Sequence, residues 1–205
     1  MSKPITPVHP FTYQPSSSRK HGPGGYTEYS RYKPWLRDEF TFRCAYCLMR
    51  EKWQRDLNGF ELDHFQPVAT RPDLIVEYAN LVYACRGCNQ KKNAYYIPEP
   101  SSVALRVEIN GLIVALNDDG QRIIDLLSLD DEKSTTFRRD MIQIVRSLGS
   151  SDDPEAHKSY YSWVGFPAEL PDLKKLHPPT NSRVGAIENS WHSLKERGAL
   201  PQCYA

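Results

Sequence analysis

Two Cys-x-x-Cys pairs, Cys44-Ala45-Tyr46-Cys47 and Cys85-Arg86-Gly87-Cys88, bracket the dipeptide Asp63-His64, and the second pair runs directly into Asn89. Four thiolates at this spacing suit a tetrahedral zinc ion, with each sulfur about 2.3 Å from the metal. Such a site has no open coordination position, so its zinc is structural. Its consequence is local: Asp63, His64 and Asn89 are clamped into one neighbourhood. A carboxylate, an imidazole and an amide oxygen are the groups that metal-assisted phosphodiester hydrolysis requires. A neutral imidazole takes a proton from water near neutral pH, and hard oxygens suit Mg²⁺.

The elements that position these residues follow from the pattern. The Cys pairs are separated by 37 intervening residues. Simple zinc ribbons use about 15–20, so the zinc loop has room for a hairpin. Phe60 to Phe65 alternates as a strand, entered through the Asn58-Gly59 turn and stopped by Pro67. Asn80 to Ala84 is a second strand, and Asn89 to Tyr96 a short helix. Neighbouring strand residues face opposite sides, so Asp63 and His64 share a site only where the strand ends or bends. Upstream, Tyr29 to Phe42 carries Tyr32, Trp35, Leu36 and Phe40 at helical spacing, with Pro34 in the first turn. Residues 1–28 are expected as an extended, proline-rich arm.

The stretch from Cys44 to about Tyr96 resembles the HNH, or ββα-metal finger, endonucleases, in their four-cysteine branch. The matching residues are Cys44, Cys47, Asp63-His64, Asn80-Leu81, Cys85, Cys88, Asn89 and Lys92. The resemblance implies His64 as general base, with Asp63 and Asn89 holding a catalytic Mg²⁺ or Mn²⁺. It implies that Asn80 ties the loop to the backbone of His64, and that the product carries a 5′-phosphate. Histidine is frequent in the family where this chain has Asn89. Asn93, one helical turn further on, is an additional candidate for the metal site.

The expected fold class is α+β: a zinc-stabilised ββα-metal core at 29–98 behind the arm, then a C-terminal extension at 99–205. In that extension Val103 to Leu129 suggests a β-meander with turns at Asn110-Gly111 and Asp118-Asp119-Gly120. Helices are expected from Asp130 or Asp131 to Leu148 (apolar face Phe137, Met141, Ile144, Val145, Leu148), from Pro154 to Trp163, and from Ser182 to Arg197. His157, His177 and His192 lack ligand spacing, and Cys203 has no partner in the pattern. Weak similarity to HNH effectors of anti-phage systems implies an ATPase or another defence partner.

Net charge is only +1, from 26 Lys and Arg against 25 Asp and Glu. Nucleic acid must therefore meet a local patch rather than a global field. Arg43, Arg86, Lys91 and Lys92 are the candidates for phosphate contacts, with Arg50 beside the first pair. Tyr95 and Tyr96 can stack on bases but suit a core position better. No apolar run reaches the ~20 residues of a membrane helix, and no signal peptide is evident, so a cytoplasmic endonuclease acting on duplex DNA is expected. Two alternatives stand beside it: a zinc-stapled binding module without catalysis, and a structure-selective junction resolvase.

Overall fold

The computed structural model describes residues 5–12, 19–54, 59–181, 183 and 185–204. In chain order its regular elements are β1 (Pro23–Gly24), α1 (Lys33–Glu39), β2 (Phe60–His64), β3 (Leu81–Cys85), α2 (Arg86–Lys92), β4 (Leu105–Val107), β5 (Ile113–Ala115), α3 (Asp118–Leu127), α4 (Glu132–Gly149), α5 (Pro154–Val164), β6 (Thr180–Asn181) and α6 (Trp191–Glu196). The strands pair antiparallel as β1–β6, β2–β3 and β4–β5, so the class is α+β. The chain forms two compact units. One comprises Ser16–Ser102 and Pro167–Leu200, the other Met1–Pro15, Val103–Phe166 and Pro201–Ala205. The arm and the extension, expected as contiguous parts, are thus each divided between units. Asn58 of the expected turn and Ser182 at the start of the expected last helix lie outside the described residues.

In the first unit β2 and β3 form a hairpin with Phe60 opposite Cys85 and His64 opposite Leu81. A 3₁₀ turn at Tyr29–Tyr32 leads into α1, whose first turn holds Pro34 where a missing N–H costs nothing. Trp35 and Leu36 of α1 are fully buried. Arg37 grips Glu51 with two bonds of 2.9 and 2.6 Å, and the Tyr83 hydroxyl donates to the same carboxylate at 2.8 Å. That knot joins α1, β3 and the segment after the first cysteine pair.

Helix α2 begins earlier than expected. Cys85 is extended and caps it, so Cys88 lies inside the helix and Asn89 in its middle rather than at its start. It ends at Asn93, whose φ of 49° leaves the helical path. Tyr95 and Tyr96 consequently fall beyond the helix and are 62% and 60% exposed, not in the core. The last helix is likewise shorter, starting at Trp191 behind Ser190, whose side chain accepts from the Ser193 amide.

In the second unit the Asn110-Gly111 turn closes the β4–β5 hairpin as expected. Gly111 has φ +86° and sits against the Thr135 carbonyl and the Arg139 amide, so no side chain fits there. Asp118-Asp119-Gly120 is not a hairpin turn. Asn117 accepts from the Gly120 amide at 2.8 Å and starts α3, and Ile123, Ile124 and Leu127 pack inward at helical spacing. Asp131 caps α4 through the Ser134 amide at 2.7 Å. Met141, Ile142 and Val145 form its buried face, while Ile144 is 38% exposed. Arg138 is buried, donating to the carbonyls of Gly111 and Leu129 at 2.7 Å each. Val145, Tyr160 and Val164 make a core that Ile5 and Val8 of the arm cover. No described helix is long and apolar enough to cross a membrane.

Buried Asp38 of α1 gathers distant parts of the first unit. It accepts from Lys20 and meets His21 Nε2, both at 2.7 Å, and it accepts from the Trp191 amide at 2.8 Å. Burial alone would raise its carboxyl, but His21 and Lys20 hold it below its ordinary range. Such a carboxylate stabilises the fold above its unfolded pKa of about 3.9, and this is lost as pH falls through the lower folded value. Asp38→Asn leaves buried donors unmatched and is expected to cost about 3 kcal/mol in urea denaturation at pH 7. The gap between variant and wild type should narrow below about pH 4; an unchanged gap there would refute this role.

Candidate active site and metal centre

The four sulfurs of Cys44, Cys47, Cys85 and Cys88 lie within 4.8 Å of one another. A tetrahedron with arms of about 2.3 Å has edges near 3.8 Å, and Cys47 Sγ to Cys85 Sγ is 3.7 Å. The first pair sits on a tight loop: the Cys44 amide donates to Met49 O at 2.9 Å, and Leu48 takes a left-handed φ of 61°. The second pair comes from the β3–α2 junction. Thiols this close cannot all ionise against one another. Burial first, then its neighbours, pushes the Cys44 thiol up, while bonds from Cys44, Cys47 and Cys88 hold Cys85 far below its ordinary range. A central divalent cation removes that conflict, so the donor set fits a closed metal centre.

Strand β2 distributes the polar residues by strict alternation. Glu61 and Asp63 face α2, where Asn89 and Lys92 lie one helical turn apart. Asp63 is 5% exposed. Its Oδ2 accepts from Tyr46 at 2.6 Å, and its Oδ1 pairs with Lys92 Nζ at 3.0 Å. Burial, with the Asp63 charge beside it, keeps the Tyr46 phenol protonated and therefore a donor. His64 points the other way. Its Nε2 lies 2.9 Å from the carbonyl of Ile75, and its ring meets Tyr29 edge-on at 5.0 Å. A carbonyl only accepts, so Nε2 is the N–H and neutral His64 carries its lone pair on Nδ1. Asp63 and His64 therefore do not face a common site.

Asn89 joins a different carboxylate from the one expected. Its Nδ2 donates to Glu61 Oε2 at 2.7 Å, and Arg86 Nε donates to Glu61 Oε1 at 2.9 Å. The Asn89 bond, with Arg86 and Lys33 adding charge, holds the Glu61 carboxyl below its usual range. Glu61, Arg86 and Asn89 line a groove of about 660 Å³ along β2 with Phe60, Leu62, Tyr29, Ser30 and Lys33. Tyr29 thus belongs to the groove and touches His64. Glu61 and Asn89 offer the hard oxygens that Mg²⁺ or Mn²⁺ takes, so the donor chemistry fits such an ion. Asn80 ties the chain at Gln66 rather than at the backbone of His64. Its side chain accepts from the Gln66 amide at 2.9 Å and donates to the Gln66 carbonyl at 3.0 Å, which fixes the chain just beyond His64.

Residues 44–94, which contain the four cysteines, Glu61, Asp63, His64, Asn80, Asn89 and Lys92, match the family model described as HNH endonuclease. This segment is an HNH domain. A Septu protein PtuB from Bacillus thuringiensis is 36% identical over 53 residues, a match covering 26% of this chain and 20% of that protein. The chain thus spans about a fifth of the length of the curated relative it matches.

The HNH domain separates the four basic candidates. Arg86 and Lys91 are exposed. Arg43 and Lys92 are buried, at 6% and 1%, and face the interior instead of a phosphate backbone. Arg50 is also buried and lies over Trp53. Lys33 and Glu61 escaped the sequence reading. Glu61 alternates like any half-exposed strand residue, and Lys33 opens a helix outside the family motif.

Two outcomes follow. Cys85→Ser should take the bound metal from about one ion per chain to none, with loss of near-ultraviolet circular dichroism; a metal-free but fully folded variant would refute the centre. Lys92→Ala leaves Asp63 charged and buried, and should cost about 3 kcal/mol in denaturant titration. A cost below ~1 kcal/mol would show that the pair is exposed in solution.

Proposed function

We propose that the chain is a metal-dependent endonuclease that hydrolyses phosphodiester bonds in duplex DNA. The observation that carries this is the arrangement of His64: Ile75 O fixes its tautomer with Nδ1 as acceptor, and Tyr29 links it to a groove lined by Asn89, Glu61, Arg86 and Lys33. Nδ1 takes a proton from water as its oxygen bonds to phosphorus; the bond to the 3′ oxygen breaks, and that oxygen is protonated by solvent. The products are a 5′-phosphate and a 3′-hydroxyl. Arg86 and Lys33 hold the phosphate backbone without reading sequence. Asn80 keeps the segment after His64 in place, and the edge of Tyr29 limits rotation of the imidazole. Asn89, with a carboxylate of β2, would hold Mg²⁺ or Mn²⁺. When bound, such an ion stabilises the charge that builds on the phosphate and the leaving oxygen. In the four-thiolate centre we place zinc, because tetrahedral sulfur ligation suits it.

The similarity to a Septu protein supports a place in bacterial anti-phage defence; an ATPase partner and a cytoplasmic location are part of the proposal. The rival reading, a zinc-stapled binding module, is favoured by one observation: Asp63 is sequestered by Tyr46 and Lys92. Plasmid nicking with Mn²⁺ decides between them. His64→Ala should lose activity by about 100-fold or more while keeping its zinc and its circular dichroism. Equal activity in that variant removes the hydrolytic mechanism, and no activity in the wild type, tested with its partner proteins, favours the binding module.

A further inference from the structure

Among its described residues the first unit leaves four large apolar side chains exposed, and all four are anchored at or beside the end of β2 where His64 stands. They are Tyr29 (40%), Ile75 (39%), Tyr95 (62%) and Tyr96 (60%). The Tyr29 ring meets that of His64 at 5.0 Å, and the Ile75 carbonyl lies 2.9 Å from His64 Nε2. The tyrosine pair reaches the same place through the backbone. The Ile97 amide donates to Phe65 O at 3.2 Å, so Tyr96 and His64 each stand one residue from that bond.

The chain presents this pair on a span held at both ends. The Asn93 amide donates to Asn89 O and the Tyr95 amide to Lys92 O, both at 3.0 Å, which closes the end of α2. Lys92 before the span and Ile97 after it are buried, whereas residues 93–96 between them are all exposed. Among the described residues neither tyrosine ring packs on another ring or bonds through its hydroxyl.

The composition of this rim says what can cover it. Aromatic faces suit a flat π partner. Lys91 on α2 and Arg86 in the groove are exposed cations that suit a polyanion. Bases on a phosphate backbone combine both properties. In a paired duplex the base faces are stacked on one another and closed to side chains, so a stacking rim is of use only where bases are unpaired.

We propose that Tyr95 and Tyr96 form a stacking platform for unpaired bases beside the scissile phosphate, with Tyr29 and Ile75 completing the apolar rim around His64. This rests on the endonuclease reading and narrows its substrate to duplex DNA that carries an unpaired stretch at the cut. The cations hold the backbone, and the rings select for disrupted pairing.

The test is fluorescence anisotropy with the zinc-loaded full-length protein, without Mg²⁺ or Mn²⁺, at one fixed salt concentration. Two labelled probes are compared: a fully paired duplex, and the same duplex with a central run of unpaired thymines. The wild type should bind the interrupted duplex about tenfold more tightly. Tyr95→Ala and Tyr96→Ala should each weaken that binding about fivefold or more, and change binding of the paired duplex by less than about twofold. Tyr95→Phe and Tyr96→Phe keep the ring and should bind as the wild type does, which separates stacking from a hydroxyl contact. Zinc content and circular dichroism establish that each variant is folded. The platform is overturned if the wild type binds both probes equally, if joint replacement by alanine leaves the preference intact, or if neither probe binds, which would give the rim to a protein partner instead. Because no cleavage is read, the outcome is separable from the endonuclease question. His64-dependent nicking with no preference between the probes keeps the nuclease and removes the platform, whereas a tyrosine-dependent preference without nicking does the reverse.

Discussion

The mutual repulsion of four neighbouring thiolates, relieved only by a cation among them, is the constraint on which the HNH domain depends. It fixes the Cys44–Cys47 loop against the point where β3 turns into α2. Everything between those anchors, including the whole of β2, is a closed excursion from one metal centre. A hairpin of two five-residue strands and a seven-residue helix has little apolar surface of its own. Isolated elements of this size are marginal in water. A structural metal can contribute on the order of 10 kcal/mol to such a unit. The polar knot of Arg37, Glu51 and Tyr83 then attaches α1 to the same frame.

Alternation along β2 governs the division of labour at the groove. Because side chains switch faces at every residue, Asp63 turns toward α2 and His64 to the opposite side at the end of β2. The helix side receives Glu61 and Asp63, which α2 meets with Asn89 and Lys92 one turn apart. Solvent access separates the two pairs energetically. The inner pair is a buried lock and the outer one an exchangeable contact, although both are acid–amine or acid–amide contacts of similar length. His64, on the other face, meets the Ile75 carbonyl through Nε2 and the ring of Tyr29 edge-on, which fixes its orientation and leaves Nδ1 as the ring's acceptor.

The metal centre was legible because thiol spacing carries geometry directly: two x2 gaps admit few other uses. The hairpin was legible from alternation, whereas the partner of Asn80 is Gln66 and not the His64 backbone that the resemblance implied. The partner of Asn89 was not, because Glu61 in Phe60-Glu61-Leu62 carries no mark that separates a ligand from a solvated strand residue. Lys92 reads as a phosphate contact because a lysine on a short helix usually reaches water; only the packing of α2 on β2 reveals the carboxylate beneath it. The second Cys-x-x-Cys hid the start of α2, since two metal-binding thiols at this spacing suggest a knuckle more than a first helical turn. Asp118-Asp119-Gly120 misled in the opposite direction. Acidic residues before a glycine signal a turn and a helix N-terminus equally well, and Asn117 decides the matter through one hydrogen bond.

Zinc-edge X-ray absorption of the purified full-length protein tests the frame on which the site stands. The account predicts one zinc with four sulfur neighbours at about 2.3 Å and no nitrogen or oxygen in the first shell. Zinc in a mixed sulfur and oxygen shell, or a folded protein whose four cysteines bind no metal, would contradict it.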